Sequence, residues 1–403
     1  MTLERLASVD AMRAYQREWL ESTRAHAQRG GPFILCNSDE FEDILNAFEI
    51  PSLVINYWNF VILRSGNARP LQRQLIERGY PGPHFFSLGY ATALDPAQAP
   101  WGGLPTPRLL VGSSRNDYER RVCELWAEKL GCPLFPIDFN FGSPRATPLP
   151  GDWWRTVRTD WRALTDPARV EGRYEQVRAF LNYLERDLGR PLPIADIAAA
   201  MERINRQMDI WMEADALIAG ARVHPIAFRD QLAMYQAMWH RGRPDGVRLV
   251  SDYRDEIAER VARGVAGYAE SGLRVLFWSV NAEPDFHAWM RERFGAIIVA
   301  SPYSAMPAMY ARDFDPADPL LALSARHTLL FQLTPEWMVA EAERHRCDLI
   351  ISSEAIGDHG SVNERAAEAA GIPFLAIPQG TPPADAEQRL ERFFSERLGR
   401  KPG

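Results

Sequence analysis

Residues 108–138 read RLLVGSSRNDYERRVCELWAEKLGCPLFPID. A short apolar run, Arg108 to Val111, gives way to glycine and polar residues. A helical pattern then spans Asp117 to Leu130, Gly131 closes it, and a second apolar run follows at Leu134 to Ile137. Two short apolar runs separated by one amphipathic helix form a parallel strand pair with a crossover, because parallel neighbours need a long connection. The pattern continues upstream: Phe33 to Cys36 is an apolar run, Phe41 to Phe48 a helix, Leu53 to Ile55 a second run and Leu71 to Arg78 another helix, ahead of Phe85-Phe86. Strands and helices in this order predict a parallel sheet covered on both faces. A leading helix precedes it over residues 1–30, with Leu3, Leu6, Met12, Tyr15 and Leu20 on one face and Gly30-Gly31 at its end.

From Trp153 to Arg241 the strand signal disappears, and apolar residues recur at helical spacing through Tyr174–Leu188, Ile194–Leu217 and Phe228–Trp239. Strands return at Arg274–Val280, Ala296–Ala300, Asp348–Ser352 and Phe374–Ile377, alternating with helices such as Asp285–Arg293 and Pro335–His345. The predicted fold is α/β, with two doubly wound, flavodoxin- or Rossmann-like parallel-sheet lobes and a helical middle segment. The expected domains are residues 1–150, 151–245 and 246–403, in keeping with a length of 403 residues.

Composition narrows the function. The formal charge is −7, and 46 basic residues are scattered among 53 acidic ones without a basic stripe, so nucleic acid is not an expected partner. Only Lys129 and Lys401 are lysines, which leaves little for Schiff-base chemistry or a Walker-type phosphate contact. Met1 to Gln16 has no continuous apolar core and no stretch reaches the roughly 20 apolar residues that span a bilayer, so neither a signal peptide nor a membrane partner is expected. Cys36, Cys123, Cys132 and Cys347 are far apart with no CxxC spacing, which argues against a disulfide framework or structural zinc and for a cytoplasmic compartment.

The dinucleotide GxGxxG, the P-loop, HExxH and GxSxG are all missing. In open α/β sheets ligands bind beyond the carboxyl ends of the strands, so the loops Asn37–Glu40, Ser87–Tyr90, Gly112–Asp117, Asn281–Pro284, Ser301–Ser304 and Ser353–His359 become the places to look. Gly112 to Asp117 offers hydroxyls and backbone N–H groups to an anion, or simply caps the next helix through Asn116. His359, beside Asp358 and near Glu354, is either an acid–base group or an incidental loop histidine, and Ser361 either joins it or caps a helix. Trp101, Trp153, Trp154, Trp161 and the Tyr57-Trp58 pair suit an aromatic ligand or, at helical spacing, a packed core.

A run of segments resembles the 2-hydroxyacyl-CoA dehydratase and benzoyl-CoA reductase family. Asp43-Ile44-Leu45-Asn46-Ala47-Phe48-Glu49-Ile50-Pro51 is similar to that family's early acidic segment. It leads into Asn56-Tyr57-Trp58-Asn59. Leu104-Pro105-Thr106-Pro107 before a strand follows, and then Glu124 to Asp138, a helix, glycine-x-proline and a strand ending in aspartate. Leu273 to Trp278, Phe294 to Val299 and Gly371 to Leu375 continue the likeness, which extends from about residue 30 to 397.

The resemblance implies a subunit of an acyl-CoA-processing heterodimer in which cysteines from three loops hold a [4Fe–4S] cluster. Those positions fall near His84–Tyr90, Ser114–Asn116 and Ser353–Ala355, and none holds cysteine. Thiolates normally carry such clusters, so no cofactor is expected in this chain, and a cluster is expected in a homologous sister subunit. By this resemblance Glu354 and His359 are the expected catalytic groups, moving a proton in a hydration or dehydration. Ser87, Tyr90, Ser114 and Asn116 are the expected substrate-binding groups for an aromatic acyl-CoA thioester, with the N–H groups near Ser114 on the thioester oxygen. The alternative is a non-catalytic scaffold subunit of such a complex.

Overall fold

A computed structural model describes residues 5–37, 41–80, 87–114, 117–138, 148–268, 272–279, 284–330, 332–354, 359–378 and 383–399. In the first sheet β1 (Ile34–Cys36), β2 (Ser52–Val54), β3 (Leu109–Ser114) and β4 (Leu134–Asp138) run parallel in the order β2-β1-β3-β4. In the second, β5 (Leu273–Trp278), β6 (Ala296–Ala300), β7 (Leu349–Glu354) and β8 (Phe374–Pro378) run parallel in the order β6-β5-β7-β8. The two orders are the same topology. β1, β2 and β6 are buried along their whole length, which is why they read as unbroken apolar runs.

Helix α1 (Ala7–Gln28) leads, followed in the first lobe by α2 (Glu42–Ala47), α3 (Ile55–Arg64), α4 (Ala68–Glu77), α5 (Leu88–Leu94) and α6 (Asp117–Leu130). The middle contributes α7 (Trp153–Thr156), α8 (Trp161–Leu164), α9 (Pro167–Leu188), α10 (Ile194–Gly220), α11 (Phe228–Tyr235) and α12 (Pro244–Arg263). The second lobe adds α13 (Pro284–Phe294), α14 (Pro302–Ala305), α15 (Pro319–His327), α16 (Pro335–Arg344), α17 (His359–Ala369) and α18 (Pro383–Glu396). Among the described residues no helix is long and apolar enough to cross a membrane.

The long middle helices follow from local chemistry. In α9 the Asp166 side chain accepts the Ala168 N–H at 2.9 Å, Pro167 supplies the first turn, and Gly189 at φ 64° ends it. In α10, Ile197, Met201, Ile204, Met208, Trp211 and Ile218 are buried at helical spacing, and the helix packs against α12, α2, α14 and α15. It is the axle of the molecule. Helix α1 packs on α12 and α11, and Glu256 of α12 accepts from the Ala7 and Ser8 backbone N–H groups at 2.9 and 2.8 Å.

Two segments differ from the sequence expectation. Ile55–Arg64 is helical directly after β2, where only an apolar run and aromatic residues had been read; with six of its ten residues buried it has too little polar face to show a helical period. Residues 301–327, expected to begin with a loop, carry α14 and α15: Ser301 and Ser304 form a capping box, and Pro302 and Pro319 occupy first turns, where a missing N–H costs nothing.

The lobes meet around buried charge. Glu42 pairs with Arg241 at 2.5 Å, and the neighbouring Asp43 pairs with Arg326, all four residues being at most 2% exposed. Removing one charge from such a pair strands its partner in the interior. Asp43→Asn is expected to lower unfolding free energy by about 3–5 kcal/mol in urea titrations, and Asp43→Asn with Arg326→Met to recover part of it. A loss below about 1 kcal/mol, the scale of a surface pair, would contradict the assignment.

Two buried histidines, His224 and His240, and the half-buried His287 add a pH dependence. Burial, helped by Arg274 at His224 and by Arg243 at His240, pushes both down to about 3, and burial alone does the same to His287. The unfolded chain takes up these protons near the ordinary value of about 6.5 while the folded chain refuses them. Stability is therefore complete above about pH 6.5 and declines toward pH 3, by roughly 1.4 kcal/mol per pH unit per histidine. Urea midpoints measured between pH 7.5 and 5 should fall on acidification, less steeply in His240→Gln; a flat profile would contradict the burial of these rings as neutral groups.

Candidate functional site

Strand order reverses between β1 and β3 in the first lobe and between β5 and β7 in the second, and at such points the connections leave a crevice at the carboxyl ends. Asn37 follows β1. Its backbone N–H donates to Val111 O at 2.9 Å and its side-chain amide donates to Glu119 at 3.2 Å, on the first turn of α6. Glu119 is 2% exposed and was not singled out from the sequence, where it looks like any acidic first-turn residue. Gly112 lets α6 close on β3: an added Cβ would stand 2.9 Å from Leu134 and 3.2 Å from Cys123.

The second crevice is built alike. Ser279 follows β5, and Ser352 donates its hydroxyl to Trp278 O at 3.1 Å, tying β7 to β5. Ser114 and Glu354 occupy matching places, each on the last rung of the third strand in its sheet, opposite Asp138 and Pro378. His359 opens α17. The side chains of Ser114, Glu354 and His359, and the whole of Asn116, lie outside the described residues.

The other two expected binding residues face inward. Ser87 stands just before α5, buried, and hydrogen-bonds Tyr118 of α6. Tyr90 is 4% exposed, its hydroxyl 3.2 Å from that of Tyr80 and its ring edge-on to Trp126 at 6.0 Å. Burial and the Tyr80 hydrogen bond push its pKa up, so it stays a neutral phenol. Thus the structure places Ser87 and Tyr90 within the packing of α5 against its neighbours, Ser114 and Glu354 at strand ends, and His359 at the start of α17.

Tryptophans connect the two carboxyl-end regions. The chain leaving β4 delivers Trp153 and Trp154 onto Trp337, at 5.6 and 5.9 Å between ring centroids, and Trp337 meets Trp278 at the end of β5 at 6.2 Å. Trp153 Nε1 donates to Thr334 at 3.3 Å. Of the two sequence readings of these rings, packing is the one the structure shows for Trp153 and Trp161, which are at most 2% exposed.

The cysteines do not suit an iron–sulfur cluster. Cys36 and Cys123 are buried inside the first lobe, Cys132 follows α6, and burial pushes the Cys347 thiol up to about 12, far from the thiolate that a cluster needs. One other group of potential ligands exists among the described residues: His345 Nε2 lies 3.5 Å from Asp215 and 3.7 Å from Glu341. Arg344 already pairs with both carboxylates. Burial alone would raise Asp215, yet His345 and Arg344 outweigh it and hold the carboxylate low. These contacts tie α10 to α16.

With the fold and crevices in view, comparison with known proteins gives one clear result. Residues 84–395 match the family model described as 2-hydroxyglutaryl-CoA dehydratase, D-component. No curated protein matches. The match takes in β3, β4, the whole helical middle and the second sheet, so this chain belongs to the 2-hydroxyglutaryl-CoA dehydratase D-component family.

Proposed function

We propose that this chain is an acyl-CoA-handling subunit of a dehydratase-type complex that holds no iron–sulfur cluster itself, and that it either runs a redox-neutral hydration or dehydration with its own polar groups or works beside a homologous, cluster-bearing sister subunit. The observation that carries the reading is the absence of thiols where the resemblance expects them: Ser87 and Ser114 stand at two of the three places and Glu354 at the third. The four cysteines that are present lie elsewhere in the sequence, two of them buried in the first lobe.

Chemistry without an electron source limits what the carboxyl-end groups do. A thioester acidifies only the proton α to its carbonyl, so a carboxylate base removes that proton and the departing hydroxyl must be β to the carbonyl. Glu354 or His359 takes the α proton, the thioester oxygen gathers the charge against N–H groups near Ser114, and the hydroxyl leaves with a proton as water. Asn116 is the remaining expected binding group of the pocket wall, Ser87 and Tyr90 lying in the packing behind it, and the aromatic residues of the chain favour an aromatic acyl group.

A second reading, a scaffold subunit without catalysis, is favoured by the inward bonds of Ser87 to Tyr118 and of Tyr90 to Tyr80. Calorimetry of the anaerobically purified chain with a panel of aromatic acyl-CoA thioesters separates the two. Saturable heat supports the first reading, and none at millimolar thioester supports the scaffold. Glu354→Gln should lower turnover by about 10²–10⁴-fold with little change in affinity. Unchanged turnover removes Glu354 from the chemistry, and a brown chain with about four irons, the content of a cubane, overturns the cluster-free reading.

A further inference from the structure

A cleft of about 1000 Å³ opens between α1, the α3–α4 corner of the first lobe, α11, and α13 with the amino end of edge strand β6. Arginine lines it from every side. Arg5, Arg13 and Arg17 come from the α1 side, Arg64 and Arg69 face them, and Arg229 and Arg291 stand on the second-lobe side. Among the described residues no aspartate or glutamate lines it, in a chain whose formal charge is −7. Asp10 pairs with Arg5 at 3.2 Å and lies 4.0 Å from Arg13, and Asp230 lies 3.8 Å from Arg229.

Two further observations point to a ligand. Gln16 and Gln236 line the cleft at 1% and 3% exposure, and the side-chain nitrogen of each has no hydrogen-bond partner. Buried amides in that state signal an acceptor yet to arrive. Trp101, on the rim, is held at φ 53°, a left-handed conformation that a bulky residue adopts only when its surroundings impose it. Arg17 lies 5.6 Å from its ring centroid.

We propose that this cleft binds a phosphorylated nucleotide, with Arg13, Arg17 and Arg64 on the phosphates and Trp101 against the base, the ligand being the adenosine 3′,5′-bisphosphate end of CoA. Guanidinium groups match phosphate oxygens in pairs of parallel hydrogen bonds, and an aromatic face accepts a flat base. The choice of CoA as the source rests on the acyl-CoA reading; the phosphate chemistry stands without it.

The test is calorimetric titration of the full chain with adenosine 3′,5′-bisphosphate, ATP, CoA and an acyl-pantetheine thioester at low and high salt. Variants Arg64→Gln and Arg17→Gln are compared with the surface control Arg120→Gln, and thermal melts verify folding. Bisphosphate and CoA should bind in a salt-sensitive manner and weaken about tenfold or more in either cleft variant, the loss of a charged hydrogen bond, with no change in the control. If no phosphorylated ligand binds, or if CoA binds equally to both cleft variants, the cleft assignment is overturned, and in the second case the acyl-CoA reading survives it. If ATP or bisphosphate binds through these arginines while CoA and the thioester do not, the nucleotide site stands and the acyl-CoA reading falls.

Discussion

Two adjacent carboxylates at the start of α2 hold the lobes in one arrangement. Glu42 reaches Arg241 beside the middle helices and Asp43 reaches Arg326 of α15, so consecutive residues of one short helix tie the first lobe to two distant parts of the chain. Taking these charges out of water is costly, and only complete pairing offsets it. Arg241 also lies 4.0 Å over the Tyr310 ring, and Asn46, one turn on, donates to Arg241 O at 3.0 Å. A shift of α2 by one residue would leave a carboxylate facing apolar side chains. The interaction therefore acts against wrong docking more than it adds stability. Arg312, near Arg326 in the same interior, is pushed down to about 9 by burial and by that neighbour, a sign of how densely cations are gathered there.

From that junction the rest follows. With α2 fixed, the carboxyl end of β1 is fixed, and with α15 fixed, so is the path into α16 and β7. Both sheets use the same strand order, so each presents one crevice beside its reversal point, and Ser114 and Glu354 fall at matching rungs. The contacting tryptophans Trp153, Trp154, Trp337 and Trp278, one pair stacked and two edge-on, carry the first lobe's outgoing chain to the end of β5. Rigid aromatic packing suits such a link, since ring pairs hold a definite angle and exclude water. The Asp215–Arg344–Glu341–His345 network does the same between α10 and α16 with charge.

The family assignment and the residues at the strand ends bear on each other. Thiolates normally carry iron–sulfur clusters, and the three loop positions that the resemblance marks hold no cysteine in this sequence. The arginine cleft is a separate resource, since charge of one sign gathered in a concave wall concentrates anions whatever chemistry occurs elsewhere.

Much of this was legible in the order of residues. Parallel strands, the crossover helices, the all-helical middle and the likeness to the dehydratase family all come from patterns local to a few turns or strands, and local patterns are what a linear chain displays. Helix Ile55–Arg64 stayed hidden because burial on most sides erases the period, and α14 and α15 because prolines at helix starts look like breaks until the first turn is seen. The strand-end positions of Ser114 and Glu354 were readable, whereas the inward turn of Ser87 and Tyr90 was not. The ion pairs of α2 join residues about 200 and 283 apart in sequence, and the seven arginines of the cleft come from four separate stretches of chain. Sequence alone determined the class of fold and the family, because periodicity and motif order are properties of neighbours. Tertiary structure alone decided which charges meet and which gather along the cleft, because distance in space between remote residues is set only when the lobes close.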